Sequence, residues 1–515
     1  MQTNLAKSDP ASAFLLRLAS IALVLLFLLS FVYRPLGPWL GILMGTWFIG
    51  TQKPWRGLLF VVILDLVPRL ASNWGKLPLS TPAYLAWMLM ATLLNVLPYF
   101  LHRLTRARLP GFFATLPLPL WGTVCQVLGQ WLLPTSIFKL IGLPATQVGN
   151  PPVMQIGAAV GTSGIVFLIY WLAAIFNWMW DYDFHMAKIK KSIGLAGILF
   201  LVALGYGVFA WLSGKPLPTE LSTGLGIAWV CLIAGIALVA WALVRGRKRP
   251  VRWQEKPEVV AILRSPATGA PLQVVTEGRH EVLVSQTGEK FPIRDGIPTL
   301  LPSGEMTGSN KQYNQLYETI GSFYDSSQKF MGSLFYGGVD HVFLSYLRFL
   351  EIKPGDRVLE TSVGTGLNYK YLPYGVNLFG LDLSTEMLAT CQANLERWGL
   401  SAELFHGNAE SLPFMDNSFE VVYHAGGINF FNDKARAIRE MIRVAKPGSR
   451  ILIADEMEKH VRDSYERMPI LGGLFKNRAE AVSVPIDLVP SEMQDVHQEI
   501  VWGGRFYVLV FRKPL

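Results

Sequence analysis

Eight apolar stretches crowd the chain before Arg245, and nothing like them follows. They lie at about 14–33, 37–50, 57–71, 83–101, 112–133, 154–180, 193–212 and 225–244. An apolar helix needs about 20 residues to cross the hydrocarbon of a bilayer. Residues 1–250 are therefore expected to form a polytopic α-helical membrane domain. The second and third stretches are short, and Asp65, Pro68 and Arg69 interrupt the third. Six or seven spans are the alternatives to eight.

Loop charge bears on the count. Working back from Arg245, Arg247, Lys248 and Arg249, every second connection is basic: Lys188, Lys190 and Lys191, then Arg103, Arg106 and Arg108, then Lys53 and Arg56. The alternate connections carry Arg34, Lys76, Lys139 or Lys215. Basic loops stay on the cytoplasmic side, which puts both ends of the domain inside and favours eight spans. The first stretch lacks a small-residue cleavage site and is expected to be a retained span. The same loops account for the formal charge of +9, so no nucleic-acid partner is expected. Gly157, Gly161 and Gly164 either let helices approach closely or mark a loosely packed span. Asp65 and Arg69, four apart, form a candidate ion pair.

The run Arg34-Pro35-Leu36-Gly37-Pro38-Trp39-Leu40 and the segment 155–168, followed by Asn177, resemble the apolipoprotein N-acyltransferases across residues 13–244. That resemblance implies a scaffold open sideways to lipid chains, with membrane lipids as partners. The catalytic domain that family carries before its last span is replaced here by residues 213–221, so acyl transfer is not implied.

Past the basic cluster, segments 262–272 and 284–301 alternate apolar and polar residues between turn glycines, as short strands do. The ending Phe291-Pro292-Ile293-Arg294-Asp295-Gly296-Ile297-Pro298 resembles the zinc-ribbon modules that activate methyltransferases. The resemblance puts the two ligand pairs on Ser265 and Thr268 and on Val284 and Thr287, none of which binds zinc usefully. A metal-free β module is expected over 255–302. The three cysteines, Cys125, Cys231 and Cys391, build neither a disulfide framework nor a metal cluster.

From Asp356 onward, strand and helix patterns alternate as a parallel sheet with crossovers requires. Residues 303–515 are thus expected to be an α/β Rossmann-like domain. The strand at Arg357 runs into the turn Thr361-Ser362-Val363-Gly364-Thr365-Gly366, then into an expected helix. A backbone turning tightly beneath a ligand needs Gly364 and Gly366. A second strand ends at Asp382, 18 residues after Gly364, near the spacing of a ribose-binding acid. Segments 405–414, 416–423 and 441–453 supply a third loop, a fourth strand, and a helix, Lys-Pro-Gly turn and fifth strand.

This ordered series resembles the class I S-adenosylmethionine-dependent methyltransferases of the ubiquinone/menaquinone-biosynthesis type over about 200 residues. Val363-Gly364-Thr365-Gly366-Leu367-Asn368 also resembles bacterial phosphatidylethanolamine N-methyltransferases. The resemblance implies S-adenosyl-L-methionine as cofactor. Glu360, Ser362, Gly364 and Gly366 would cradle its methionine part and Asp382 its ribose. Leu383 and Met387 would lie near the adenine, with Asn408 and Ala409 at its edge. Asn408 stands where the family usually has Asp, and Ser362 where it usually has Gly.

After the fourth strand, His424 is a candidate base with an ordinary pKa near neutrality, or a side chain that merely caps the strand end. Asn429 is a candidate for positioning the acceptor; Asp455 and Glu456, after the fifth strand, are further candidates or else merely solvated side chains. The aromatic segment with Tyr313, Tyr317 and Phe323-Tyr324-Asp325 folds over the cofactor in that family, or else packs in the core. The basic amphipathic stretch 465–478 suits a lid facing a bilayer. The expected function is a membrane-anchored methyltransferase acting on a lipid-soluble or membrane-associated acceptor. The alternatives are a scaffold or lipid-binding protein with a drifted methyltransferase module, and a methylase of membrane-associated proteins.

Overall fold

The computed structural model describes the chain except residues 1–9, 33, 52–53, 74–79, 107, 110, 133–142, 144–146, 148–149, 183, 185, 217–223, 246–251, 279, 303–306, 337–339 and 466–481. It divides into two compact units. One holds Arg249–Lys329 and Val339–Leu515, the other Asp9–Lys248 and Phe330–Gly338. The stretch 465–478 lies, apart from Tyr465, outside the described residues.

The second unit is helical. Each expected apolar stretch contains a helix: α1 Pro10–Val32, α2 Gly37–Thr51, α3 Pro54–Asn73, α4 Thr81–Arg106, α5 Pro117–Leu132, α6 Pro151–Asp181, α7 Met186–Leu212 and α8 Leu225–Arg245. Among the described residues, four helices are long and apolar enough to cross a membrane: Thr81–Arg106, Gly111–Leu132, Pro151–Asp181 and Leu225–Val244. Two glycines outside the triplet Gly157, Gly161 and Gly164 sit close against a neighbouring helix. A Cβ on Gly122 would sit 2.6 Å from the Tyr170 ring, and one on Gly207 2.3 Å from the Pro152 carbonyl oxygen. Gly161 instead breaks α6 at φ +71°, a backbone angle that glycine tolerates. The Arg69 side chain lies outside the described residues. Asp65 accepts hydrogen bonds from Thr92 Oγ1 (2.7 Å) and Asn95 Nδ2 (3.2 Å) of α4.

The first unit is built on one sheet of eleven strands in the order β1-β2-β3-β4-β7-β6-β5-β8-β9-β11-β10. A meander of β1 (Leu272–Glu277), β2 (His280–Ser285), β3 (Lys290–Arg294) and β4 (Ile297–Leu300) comes first. β4 then pairs in parallel with β7 (Glu403–Gly407), so the small β region and the Rossmann-like region share a sheet. The parallel centre is completed by β5 (Arg357–Glu360), β6 (Asn377–Asp382), β8 (Phe419–Ala425) and β9 (Ala445–Glu456). β10 (Gln494–Val501) and β11 (Phe506–Arg512) close the far side antiparallel.

Central strands bury both faces because side chains alternate along them. Leu359, Leu381, Val422 and Ile453 enter one core; Val358, Leu378, Val421 and Leu452 enter the other. The first core continues into the small β region through Trp253, Leu283, Phe291 and Leu300. Trp253 meets Phe405 edge-on at 5.9 Å, and Phe405 meets Phe414 at 5.0 Å.

Helix α9 (Gly308–Tyr336), up to Lys329, and helices α10 (Asp340–Leu347), α11 (Thr385–Trp398) and α12 (Lys434–Val444) belong with the sheet in this unit. Ser384 caps α11 by accepting from the Met387 N–H, and Gly399 ends it in the left-handed region. The helix expected after the glycine turn is a correction: the chain makes one 3-10 stretch, Leu367–Tyr371. Leu372 precedes Pro373, and a residue before proline is pushed out of helical angles; Leu372 has ψ 154°.

Candidate active site

β5 ends at Glu360 and the chain turns through Gly364 (φ +52°) and Gly366 (φ +78°). The two glycines serve different needs. A Cβ on Gly366 would lie 2.7 Å from Cys391 Sγ beneath the turn, whereas one on Gly364 would meet nothing within 4 Å. The space beside Gly364 is a cradle that a side chain would fill. Ser362 lies half-buried on the same turn.

The Gly364 N–H donates to Asp382 Oδ2 (2.8 Å), and the Ser384 N–H donates to Asp382 Oδ1 (2.9 Å). The two elements read as a cofactor grip thus meet at one carboxylate. The Leu383 N–H bonds the same carboxylate, which still leaves lone-pair capacity for a hydroxyl donor. Burial lifts Asp382 to about 6 against those backbone bonds. Glu360 is fully buried, accepting from Tyr423 Oη (2.7 Å) and Asn368 Nδ2. Burial pushes its carboxyl up to about 8.

The adenine-side residues gather at the same carboxyl edge of the sheet. Leu383 is half-buried, its carbonyl 3.1 Å from His406 Nε2, and Met387 is buried in the first turn of α11. Asn408 and Ala409 are buried just past β7. Asn408 Oδ1 accepts from the Glu410 N–H at 3.0 Å, so the amide oxygen expected to meet an adenine edge also holds its own loop.

The candidate base His424, one residue before the end of β8, has no exposed surface. Its Nδ1 lies 3.1 Å from Thr361 Oγ1, while Nε2 is buried without a hydrogen-bond partner. Its expected ordinary pKa is a correction. Burial lowers it to about 4, despite the nearby Asp455, so the ring is neutral near pH 7. Asn429 is held from both sides: its N–H donates to Asp455 Oδ2 (3.0 Å) and its Nδ2 to the Glu456 carbonyl (3.1 Å). Asp455 also takes the Glu456 N–H (2.8 Å), which fixes the end of β9.

Of two carboxylates on α9, Glu318 is not singled out by the sequence, and Asp325 only as the end of the aromatic segment expected over the cofactor. Glu318 Oε1 accepts from Thr385 Oγ1 (2.8 Å), the Glu386 N–H (3.1 Å) and Ser384 Oγ (3.2 Å). Asp325 accepts from Thr365 Oγ1, inside the glycine turn, and from Asn394 Nδ2. A spacing of seven, which puts both on one helix face, was the available signal. The side chains of Phe323 and Tyr324 lie outside the described residues. Tyr313 packs on Phe430 with centroids 4.4 Å apart.

Of the four positions that the resemblance assigns to zinc ligands, Ser265, Thr268 and Thr287 come together, joined by Ser285 and not by Val284. Ser285 Oγ (3.2 Å), Thr287 Oγ1 (3.1 Å) and Thr268 Oγ1 (2.8 Å) donate to Glu289 Oε2, and the Ser265 hydroxyl bonds the same carboxylate. A hydroxyl-carboxylate knot occupies the place. These bonds hold Glu289 below the usual carboxylate range, Ser265 contributing most. Val284 sits one residue off and points to the other face.

A family model described as a methyltransferase domain matches residues 359–453. The ubiquinone/menaquinone biosynthesis C-methyltransferase of Geotalea daltonii is 26% identical over 39% of this chain and 91% of its own length. That of Stenotrophomonas maltophilia is 32% identical over 33% of this chain and 72% of its own. A solved S-adenosylmethionine-dependent methyltransferase from Aquifex aeolicus aligns with 32% of this chain and 86% of its own, at 18% identity and TM-score 0.24.

Proposed function

This chain belongs to the S-adenosylmethionine-dependent methyltransferases, in the family of the ubiquinone/menaquinone biosynthesis C-methyltransferases, and on that premise we propose that it methylates a lipid-soluble acceptor of the quinone class at the cytoplasmic face of a membrane. The observation that carries the acceptor class is the union, in one chain, of this catalytic fold with four helices long and apolar enough to cross a bilayer. A water-soluble acceptor requires no such anchor. The alternation of basic connections orients the catalytic unit toward the cytosol, where the cofactor is dissolved. The helical unit is then a multi-pass scaffold, related to the apolipoprotein N-acyltransferase scaffold, and the small β region a zinc-ribbon-like module without metal.

Bound at the turn, S-adenosylmethionine supplies a methyl group already activated on a sulfonium. The chain's own residues then act mainly by position. Asp382 takes the ribose hydroxyls, and Gly364 leaves room for the methionine part. Glu360, protonated when buried alone, ionises beside the ligand's ammonium. Leu383, Met387, Asn408 and Ala409 wall the adenine. His424 Nε2, a bare acceptor when Thr361 holds the proton of Nδ1, orients a hydroxyl of the acceptor. With a pKa of about 4 it leaves a phenol, pKa about 10, protonated before transfer. It serves to receive the far more acidic proton that an alkylated ring must lose. Asn429 shapes the loop above it.

The test is transfer of a labelled methyl from S-adenosylmethionine in membranes bearing the chain, followed by extraction into organic solvent. Label is expected in the lipid extract and absent without the chain. Label confined to the protein pellet would overturn the acceptor class.

A further inference from the structure

Helix α9 is sewn over the carboxyl ends of the central strands at several points. Asn310 Nδ2 donates to Glu410 Oε1 (2.9 Å), which also takes the Asn432 N–H (2.9 Å), and Asn432 Oδ1 takes the Ser309 N–H (2.8 Å). One turn on, Tyr313 lies on Phe430. The two grips that matter chemically come next. Glu318 holds the beginning of α11 through two hydroxyls and a backbone N–H. Asp325 holds the glycine turn through Thr365, and is joined there by Asn394, whose Nδ2 also donates to the Thr365 carbonyl (3.0 Å). The start of α11 and the glycine turn are the two elements whose N–H groups converge on Asp382.

We propose that Glu318 and Asp325 are positioning residues of the cofactor site, each fixing one of the two elements that hold the ligand, so that the ligand leaves only when α9 releases both. This rests on the cofactor part of the proposed function and not on the acceptor. Two features go beyond packing. Both grips end on residues of the binding elements themselves, and Glu318 sets a charge beside Asp382. The ionisable groups facing Asp382 are Glu318 from α9, Glu360 from β5 and the Cys391 thiol from α11. Of these, Glu318 raises its pKa by like-charge repulsion. Neutralising Glu318 lets Asp382 ionise at lower pH.

The experiment measures dissociation of S-adenosylhomocysteine from the full chain in detergent micelles, by stopped flow, across a pH series. Glu318→Gln keeps the accepting oxygen but strips the charge from three hydrogen bonds, and Asp325→Asn loses one acceptor; each is expected to speed release roughly tenfold. In Glu318→Gln the midpoint of the affinity-against-pH curve moves to lower pH, and Glu318→Asp restores it toward wild type. A purely structural role would not move that midpoint. Should Glu318→Gln fail to fold, Thr385→Val removes a donor from the opposite side of the grip, with faster release again expected. Wild-type release rates together with a wild-type midpoint would overturn the proposal, as would a wild-type chain that binds no S-adenosylhomocysteine. The expected shifts in a chain that methylates no lipid would support this inference while refuting the acceptor reading.

Discussion

Alanine placed at Gly366 and at Gly364 should separate folding from binding. At Gly366 the new Cβ meets Cys391 Sγ at 2.7 Å, with the backbone at φ +78°. The left-handed backbone costs about 1–2 kcal/mol for a non-glycine residue, and overfilling a packed site costs ~1–3 kcal/mol more. Gly366→Ala should therefore destabilise the catalytic unit by about 2–5 kcal/mol. At Gly364 the φ is +52° and the Cβ meets nothing within 4 Å, which leaves the backbone cost alone, about 1–2 kcal/mol. On the proposed cofactor reading the same methyl enters the space left for the ligand, so S-adenosylhomocysteine affinity should fall at least ~10-fold. Pulse proteolysis in urea reads stability, and calorimetry reads affinity. Cys391→Ala should recover part of the Gly366→Ala loss in a double-mutant cycle. Equal stability losses at the two positions, or wild-type affinity in Gly364→Ala, would refute the argument.

Three further outcomes follow from the charged and polar groups. Asp382, raised from 3.8 to about 6, holds its proton more tightly folded than unfolded. Its share of stability falls as pH rises from about 4 to about 6 and is level above that; the Asp382→Asn unit, followed by thermal unfolding across pH, should lose this slope. His424→Phe should leave S-adenosylhomocysteine binding within about twofold of wild type while lowering methyl transfer about 10–100-fold, as read by single-turnover kinetics. Glu289→Ala should cost the small β region ~1–2 kcal/mol by stripping the hydroxyl knot of its acceptor, while a chelator leaves wild-type unfolding unchanged. Because Glu289 is held below its usual range, the contribution of the knot is present above the ordinary carboxylate range and is lost as pH falls through the folded value.

Much of this arrangement was legible in the order of residues, for physical reasons that differ by element. Gly364, Gly366 and Asp382 were readable because a tight turn and a strand-end acid are local properties, and the parallel sheet brings their ends together. The apolar helices described before Arg245 were readable from hydrophobicity, and four of them are long and apolar enough to cross a membrane. The pairing of β4 with β7 was hidden, since Ile297–Leu300 is four residues long and reads as the end of a hairpin. Ser285 and not Val284 joins the hydroxyl cluster because successive residues of a strand face opposite sides. His424 looked ordinary because burial, which lowers its pKa, is a property of the neighbours. The grips of Glu318 and Asp325 were hidden because their partners lie 40 to 69 residues away in the chain.

The central claim is that the Asp382 carboxylate, braced by the Gly364 and Ser384 N–H groups, grips the nucleoside of the cofactor. Isothermal calorimetry of S-adenosylhomocysteine against the full chain and its Asp382→Ala variant tests this most directly. Loss of two hydrogen bonds to a charged group should weaken binding at least about 100-fold. Equal affinity in the two proteins would contradict the account.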